Sequence, residues 1–220
     1  MALILCIETA TTNCSVALSD GGRVLAEKSV NEGYSHAEKL TLMIMDVLSD
    51  AGKTLAQTDA IAVSSGPGSY TGLRIGVSTA KGLCYGLDKP LISISTLEAM
   101  ANGMKAESNG ALLCPMIDAR RMEVYCALFD EDLNCLQVPQ AIIVDENFLA
   151  EERKSNSLLL AGDGADKCES LFAGESSIRI LKNFYPEARF MAVLAESKWK
   201  ADDFENVGLY EPFYLKEWKQ

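Results

Sequence analysis

The segment best equipped for chemistry reads Ser64-Ser65-Gly66-Pro67-Gly68-Ser69-Tyr70-Thr71-Gly72-Leu73-Arg74-Ile75-Gly76. A Gly-Pro-Gly turn between a strand and a helix gathers backbone amides at the helix start, where the dipole favours an anion. By itself this is a weak phosphate signal, because no Gly-Lys-Ser/Thr follows and the spacing is not GxGxxG. A second charged turn, Asp118-Ala119-Arg120-Arg121-Met122-Glu123, carries arginines that could neutralise a phosphate or an acidic partner. The preferred reading there is a plain surface ion pair with Glu123.

Nucleophilic and metal chemistry are poorly supplied. His36 is the only histidine, so a His-rich zinc site cannot be built, and its place at a helix start predicts a solvent-facing, non-catalytic ring. No G-x-S-x-G elbow occurs, and Cys84 lies in a helical run with no histidine nearby in sequence. The seven cysteines form no CxxC pair and sit mostly in apolar runs, which reads as buried free thiols of a reducing compartment.

The elements around these residues occur twice. Ile4 to Glu8 is an apolar run ending in a carboxylate; after a polar turn, Cys14 to Leu18 alternates, and Asp20-Gly21-Gly22 turns into Arg23 to Val30. The same order returns 110 residues later: Leu113 to Ile117 ends in Asp118, Glu123 to Phe129 alternates, and Asp130-Glu131-Asp132 turns into Leu133 to Val138. After each meander come a helix, a strand, a glycine turn, a helix and a closing strand. In the first half these are Ser35 to Ala51, Ala60 to Ser64, Gly66 to Gly68, Tyr70 to Leu87 and Leu91 to Ile94. In the second they are Asp145 to Glu152, Ser157 to Ala161, Gly162 to Gly164, Ala165 to Phe172 and Ile178 to Ile180. The predicted fold is α/β, two mixed sheets covered by helices, with lobes at 1–100 and 101–220 and the last, aromatic segment packing back on the first lobe.

Two βββαβαβ lobes, each with a carboxylate ending its first strand, resemble the actin, hexokinase and Hsp70 superfamily. That resemblance implies a degenerate nucleotide cleft drawn from Glu8, Thr9, Thr11, Gly66, Gly68, Asp118, Arg120, Gly162 and Gly164. The plainer alternative is that Glu8 and Asp118 cap turns.

Two helices point to a partner. Ser35 and Glu38 form a capping box. Ala37, Leu40, Met43, Ile44, Val47, Leu48 and Ala51 make one apolar face, while Leu42 and Met45 lie opposite and suggest a second contact surface. The following helix carries glycines at 72, 76, 82 and 86, each costing about 1 kcal/mol relative to alanine. Gly72, Gly76 and Ala80 form a ridge at i, i+4 and i+8 that admits a close backbone, either the chain's own sheet or another subunit. The candidate interface is His36, Leu42, Met45, Ser69, Tyr70, Gly72, Leu73, Gly76 and Ala80.

Composition bounds the rest. Over 220 residues, 48% apolar with 23% charged excludes disorder, and 20 Lys and Arg against 31 Asp and Glu give a net charge of −11. Such a chain does not grip nucleic acid alone. Met1 to Ile7 lacks the basic start of a signal peptide, and no apolar run reaches membrane-spanning length, so a cytoplasmic protein is expected.

Ile4-Leu5-Cys6-Ile7-Glu8-Thr9-Ala10-Thr11, the GPGSYTGLRIG block from Gly66 to Gly76, Ser95-Thr96-Leu97, Ile117-Asp118-Ala119-Arg120 with Glu123-Val124-Tyr125, and Glu211-Pro212-Phe213-Tyr214-Leu215 together resemble the bacterial TsaB family, formerly YeaZ. The resemblance runs through the whole chain. It implies a non-catalytic scaffold in threonylcarbamoyladenosine modification of tRNA beside the anticodon. Such a scaffold binds the paralogous TsaD transferase, acts with the ATPase TsaE, and forms a homodimer without TsaD; it meets tRNA only through the complex and binds no cofactor tightly, with ATP or ADP held weakly or at the partner interface. TsaD holds a metal through an HxxxH pair, which this chain cannot reproduce, so no metal is expected. The rival readings are a free-standing ATP-dependent kinase of the same superfamily, using Glu8, Asp118 and both glycine turns, and a peptidase whose nucleophile and base cannot be assembled.

Overall fold

The structure is a computed structural model that describes residues 1–33 and 36–216. It divides into two units, Met1–Ala99 with Pro186–Phe213, and Met100–Tyr185 with Tyr214–Gln220. Residues Pro186–Phe213 therefore belong with the first unit, while residues 214–216 return to the second.

In the first unit, β1 (Leu3–Glu8) is buried at every position, as a strand covered on both faces must be. It pairs antiparallel with β2 (Cys14–Asp20) and parallel with β4 (Ala60–Ser64). β3 (Arg23–Val30), on the outer edge, alternates exposed and half-buried residues, and β5 (Leu91–Ile94) closes the other side. The strand order is β3-β2-β1-β4-β5. One face carries α1 (His36–Asp50) and α2 (Tyr70–Leu87), with Leu5, Ile7, Val16, Leu40, Val47, Val63 and Val77 in one apolar cluster. The other face packs Ile4, Cys6, Ala62 and Ile94 on Ala99 of α3 (Thr96–Met104), Met191, and Ala195 of a further helix at Ala192–Lys200.

The second unit repeats the plan. Strands β6 (Leu112–Asp118), β7 (Glu123–Phe129), β8 (Cys135–Ile143), β9 (Leu158–Ala161) and β10 (Ile178–Leu181) lie in the order β10-β9-β6-β7-β8, the first sheet's order over again. Its core joins Cys114, Met116, Val124, Leu128, Leu160 and Phe172, with Phe148 and Phe172 ring centroids 6.0 Å apart.

The differences from the expected elements fall mainly in this copy. Residues 145–151 form turns rather than a helix, followed by a short 3-10 turn at Glu152–Lys154. The helix expected at Ala165 to Phe172 is five residues, α4 (Asp163–Lys167), and then a separate 3-10 turn, Glu169–Phe172. Asp163, Gly164 and Asp166 are weak helix formers, and the Cys168 amide closes the turn onto Ala165 and Asp166 carbonyls. The helix at Ala192–Lys200, α5, and α3 have no counterpart among the expected elements; α5 is only weakly amphipathic, so periodicity gives it little signal.

Candidate functional site

The turn after β1 is the joint of the first unit. Glu8 Oε1 accepts the Ala10 amide at 2.6 Å, while Oε2 is buried with no partner among the described residues. The side chain is 0% exposed, and burial pushes its carboxyl up to about 7 against weaker lowering by the Ala10 amide, the Ser64 hydroxyl and the Thr9 amide. Thr9 Oγ1 donates to the Gly72 carbonyl at 2.8 Å, and His36 Nε2 donates to the Thr11 carbonyl at 2.7 Å. One short turn therefore seats the first turn of α2 and the first residue of α1.

This corrects the reading of His36. It is buried, not solvent-facing, and its Nδ1 has no partner among the described residues, so it is a structural tie and cannot line a surface. The capping box of Ser35 with Glu38 lies outside the described residues.

The glycine turn is also reassigned. A Cβ at Gly66 would meet the Phe213 carbonyl, and one at Gly68 would overlap the Ala10 carbonyl. The Ser69 amide donates to Ala10 at 2.7 Å, the Gly66 amide to Thr96 Oγ1 at 3.2 Å, and the Phe213 amide to Ser65 at 2.7 Å. Backbone fills the space where a side chain at Gly66 or Gly68 would lie. Gly162 and Gly164 do the same in the second unit, pressing on the backbone of Met116 and Ile117. Asp118 ion-pairs with Lys167 and accepts the Arg120 amide at 2.8 Å. As arranged within each unit, Gly66, Gly68, Gly162 and Gly164 pack against the chain's own backbone, and Glu8 and Asp118 each accept a backbone amide of their own turn.

The Gly72, Gly76 and Ala80 ridge faces inward. A Cβ at Gly72 would overlap the Thr9 carbonyl and one at Gly76 would overlap Thr9 Oγ1, while Ala80 and Leu73 are fully buried. Four of the nine candidate interface residues on these helices are thus core, and His36 makes a fifth. Ser69 is the N-cap of α2, accepting the Gly72 amide at 3.2 Å.

What remains outward is a different stripe. Leu42 and Met45 of α1 are 62% and 61% exposed, as their place opposite the apolar face requires. On α2, Ser78, Gly82 and Gly86 recur at i, i+4 and i+8, Tyr85 beside them is 88% exposed, and a Cβ at either glycine would meet nothing within 4 Å. At the N-terminal end of this face a shallow recess of about 540 Å³ is lined by Ala37, Tyr70, Thr71, Arg74, Ile75, Ser78 and Thr79, with the Arg74 guanidinium 4.2 Å over the Tyr70 ring. Ala37, expected in the core face, is exposed here. The outer stripe has the same spacing as the inner one. The signal that separates them is Leu73, Val77, Ala80 and Cys84, apolar at i, i+4, i+7 and i+11, which marks the inner side.

Cys6, Cys14 and Cys84 do not have the lowered pKa of activated thiols. All seven cysteines are free; six are buried, and Cys135, expected to be buried, is exposed. Burial pushes the Cys6 and Cys84 thiols up to about 12 and Cys14 to about 11. Among the described residues no group of three or more His, Cys, Asp or Glu could hold a metal ion, and no helix is long and apolar enough to cross a membrane.

Residues 30–175 match a family model described as TsaD: tRNA N6-adenosine threonylcarbamoyltransferase. The tRNA threonylcarbamoyladenosine biosynthesis protein TsaB of Escherichia coli is 33% identical over 99% of this chain and 97% of its own length. A Pseudomonas aeruginosa structure described as similar to peptidase YEAZ superposes with a TM-score of 0.86 at 27% identity, covering 98% of this chain and 100% of that one. An activator of 2-hydroxyisocaproyl-CoA dehydratase from Clostridium difficile, with bound ADPNP, shares the fold alone: TM-score 0.54, 10% identity, 93% of this chain and 98% of that one. The doubled five-stranded plan is the actin-, hexokinase- and Hsp70-like fold. With both sequence and fold matched over nearly their full length, the chain belongs to the TsaB, or YeaZ, family.

Proposed function

We propose that this chain serves tRNA threonylcarbamoyladenosine biosynthesis as a non-catalytic subunit, binding a TsaD transferase and supporting its turnover together with TsaE. The observation that carries the reading is the outward α1–α2 face. Leu42 and Met45 of α1 and Tyr85 of α2 are exposed, and on α2 Gly82 and Gly86, unfavourable in a helix, face open space where a Cβ would meet nothing within 4 Å. A partner helix laid along that stripe would gain the close approach the missing side chains allow. The same face would form a homodimer when TsaD is absent. Glu8 turned inward and backbone-filled glycine turns favour a scaffold over a kinase. On this reading any nucleotide is held at the partner interface, tRNA is met through the complex, and the assembly works in the cytoplasm.

The test is threonylcarbamoylation of tRNA by the purified pathway proteins of one organism, with and without this chain. Omission should stop multiple turnover, and Met45→Asp should abolish both co-elution with TsaD on a sizing column and the stimulation. Undiminished modification without the chain would refute the reading.

A further inference from the structure

The β6–β7 turn carries two consecutive arginines in a backbone conformation that suits neither. Arg120 and Arg121 have φ of 71° and 51°, the left-handed region that glycine and asparagine enter readily and other residues enter against steric resistance. The turn is otherwise firmly tied: the Arg120 amide donates to Asp118 Oδ1 at 2.8 Å, the Ala119 amide to Glu123 at 3.1 Å, and the Glu123 amide to Arg120 at 3.2 Å. An Asn-Gly pair would make the same turn with less strain. Arginines held in such a place invite a functional account.

The surface-pair reading fails here. Glu123 is ion-paired with Lys216, and its carbonyl accepts Lys167 Nζ at 2.6 Å; Asp118 is ion-paired with Lys167; and Asp163 Oδ1 accepts the Asp118 amide at 2.9 Å. Lysines have taken the neighbouring carboxylates. Among the described residues none pairs with the Arg120 or Arg121 guanidinium, and both residues are exposed. Arg120 and Arg121 thus stand as two exposed guanidiniums on a chain whose net charge is −11. At physiological salt, charges beyond about 8 Å are largely screened, so a ligand touching this turn feels these two guanidiniums more than the distant carboxylates.

Resting on the function proposed above, we infer that the β6–β7 turn, through Arg120 and Arg121, contacts the phosphodiester backbone of the tRNA bound by the assembled complex. Guanidinium forks match phosphate oxygens two at a time, and such contacts position a nucleic acid without reading its sequence. The acidic remainder of the chain explains why the contact acts only when a partner holds the tRNA against it.

The experiment is fluorescence anisotropy of a labelled tRNA transcript titrated with the complex of this chain and TsaD across a salt series. Three forms are compared: the natural chain, Arg120→Asn/Arg121→Gly, and Arg120→Lys/Arg121→Lys. The Asn-Gly variant should melt a few degrees higher, bind tRNA about tenfold more weakly at low salt, and flatten the log–log salt slope by between one and two, since each phosphate contact contributes about 0.7–0.9. The Lys-Lys variant should keep most of the slope. An unchanged slope in the Asn-Gly variant would overturn the inference. So would loss of co-elution with TsaD, which would assign the arginines to an acidic protein surface. If the natural chain supports modification while the slope is unchanged, only this inference fails; if it supports none, the proposed function fails first.

Discussion

Replacing Glu8 by glutamine isolates the energetics of the buried turn. The carboxyl's folded value lies near 7 against an ordinary 4.5, raised by burial around an oxygen with no partner. At about 1.4 kcal/mol per pH unit, that displacement corresponds to roughly 3 kcal/mol. The sign follows from proton count. Between pH 4.5 and 7 the folded chain holds a proton at Glu8 that the unfolded chain has released, so raising the pH favours unfolding. The stabilisation is full below 4.5 and is lost as the pH rises through 7. Glutamine keeps the shape and the neutral state at every pH. Urea denaturation of both proteins from pH 4 to 8.5 should therefore give a stability difference that shifts in the variant's favour by roughly 3 kcal/mol across that window. Subtracting one curve from the other removes the remaining carboxylates. Parallel curves would mean that Glu8 is ionised in the fold and that its environment is far more polar than its burial indicates.

The two stripes of α2 give opposite expectations. Gly76→Ala should lose about 3 kcal/mol or more by chemical denaturation, because its Cβ would overlap Thr9 Oγ1, which is itself bonded to the Gly72 carbonyl; Gly76→Leu should not fold. Gly82→Ala, with open space around it, should gain roughly 1 kcal/mol from helix propensity while weakening co-elution with TsaD. Equal effects at the two positions would refute the inward and outward assignment.

Much of the first unit was legible because its strands are short, apolar and bounded by turn residues. The meander from β1 to β3, the following helices, and the repetition 110 residues on all follow from pattern alone. The candidate site was less so. Gly72-Gly76-Ala80 and Ser78-Gly82-Gly86 are the same motif by spacing, and small residues carry no label for the side they face; only the larger residues beside them do. His36 defeated local reasoning for a related cause. A polar ring at a helix start is ordinarily wet, but here the carbonyl of Thr11, 25 residues earlier, comes within 2.7 Å, a contact no sequence window contains. In the second unit, residues 145–151 form turns where the repeat predicts a helix; their apolar residues, Phe148, Leu149 and Ala150, are consecutive and carry no helical period, and the contact of Phe148 with Phe172 is made from turns.

The residues that look most like a phosphate site instead form a mount. Thr9 and Thr11 reach forward to α2 and α1, Gly68 and Gly72 let that turn press against the start of α2, and Phe213 closes over Gly66. Each close approach leaves no room for a side chain and fixes the position of a helix whose other side is exposed. On the function proposed above, partner binding depends on this packing arrangement: the contacts that seat the turn against α1 and α2 are those that hold the helices carrying the exposed Leu42, Met45, Gly82 and Tyr85. A change that loosened the turn, such as a shifted Thr9, would release the helices as well. Stability and the proposed partner binding should therefore fall together and be difficult to separate by single substitutions in the turn.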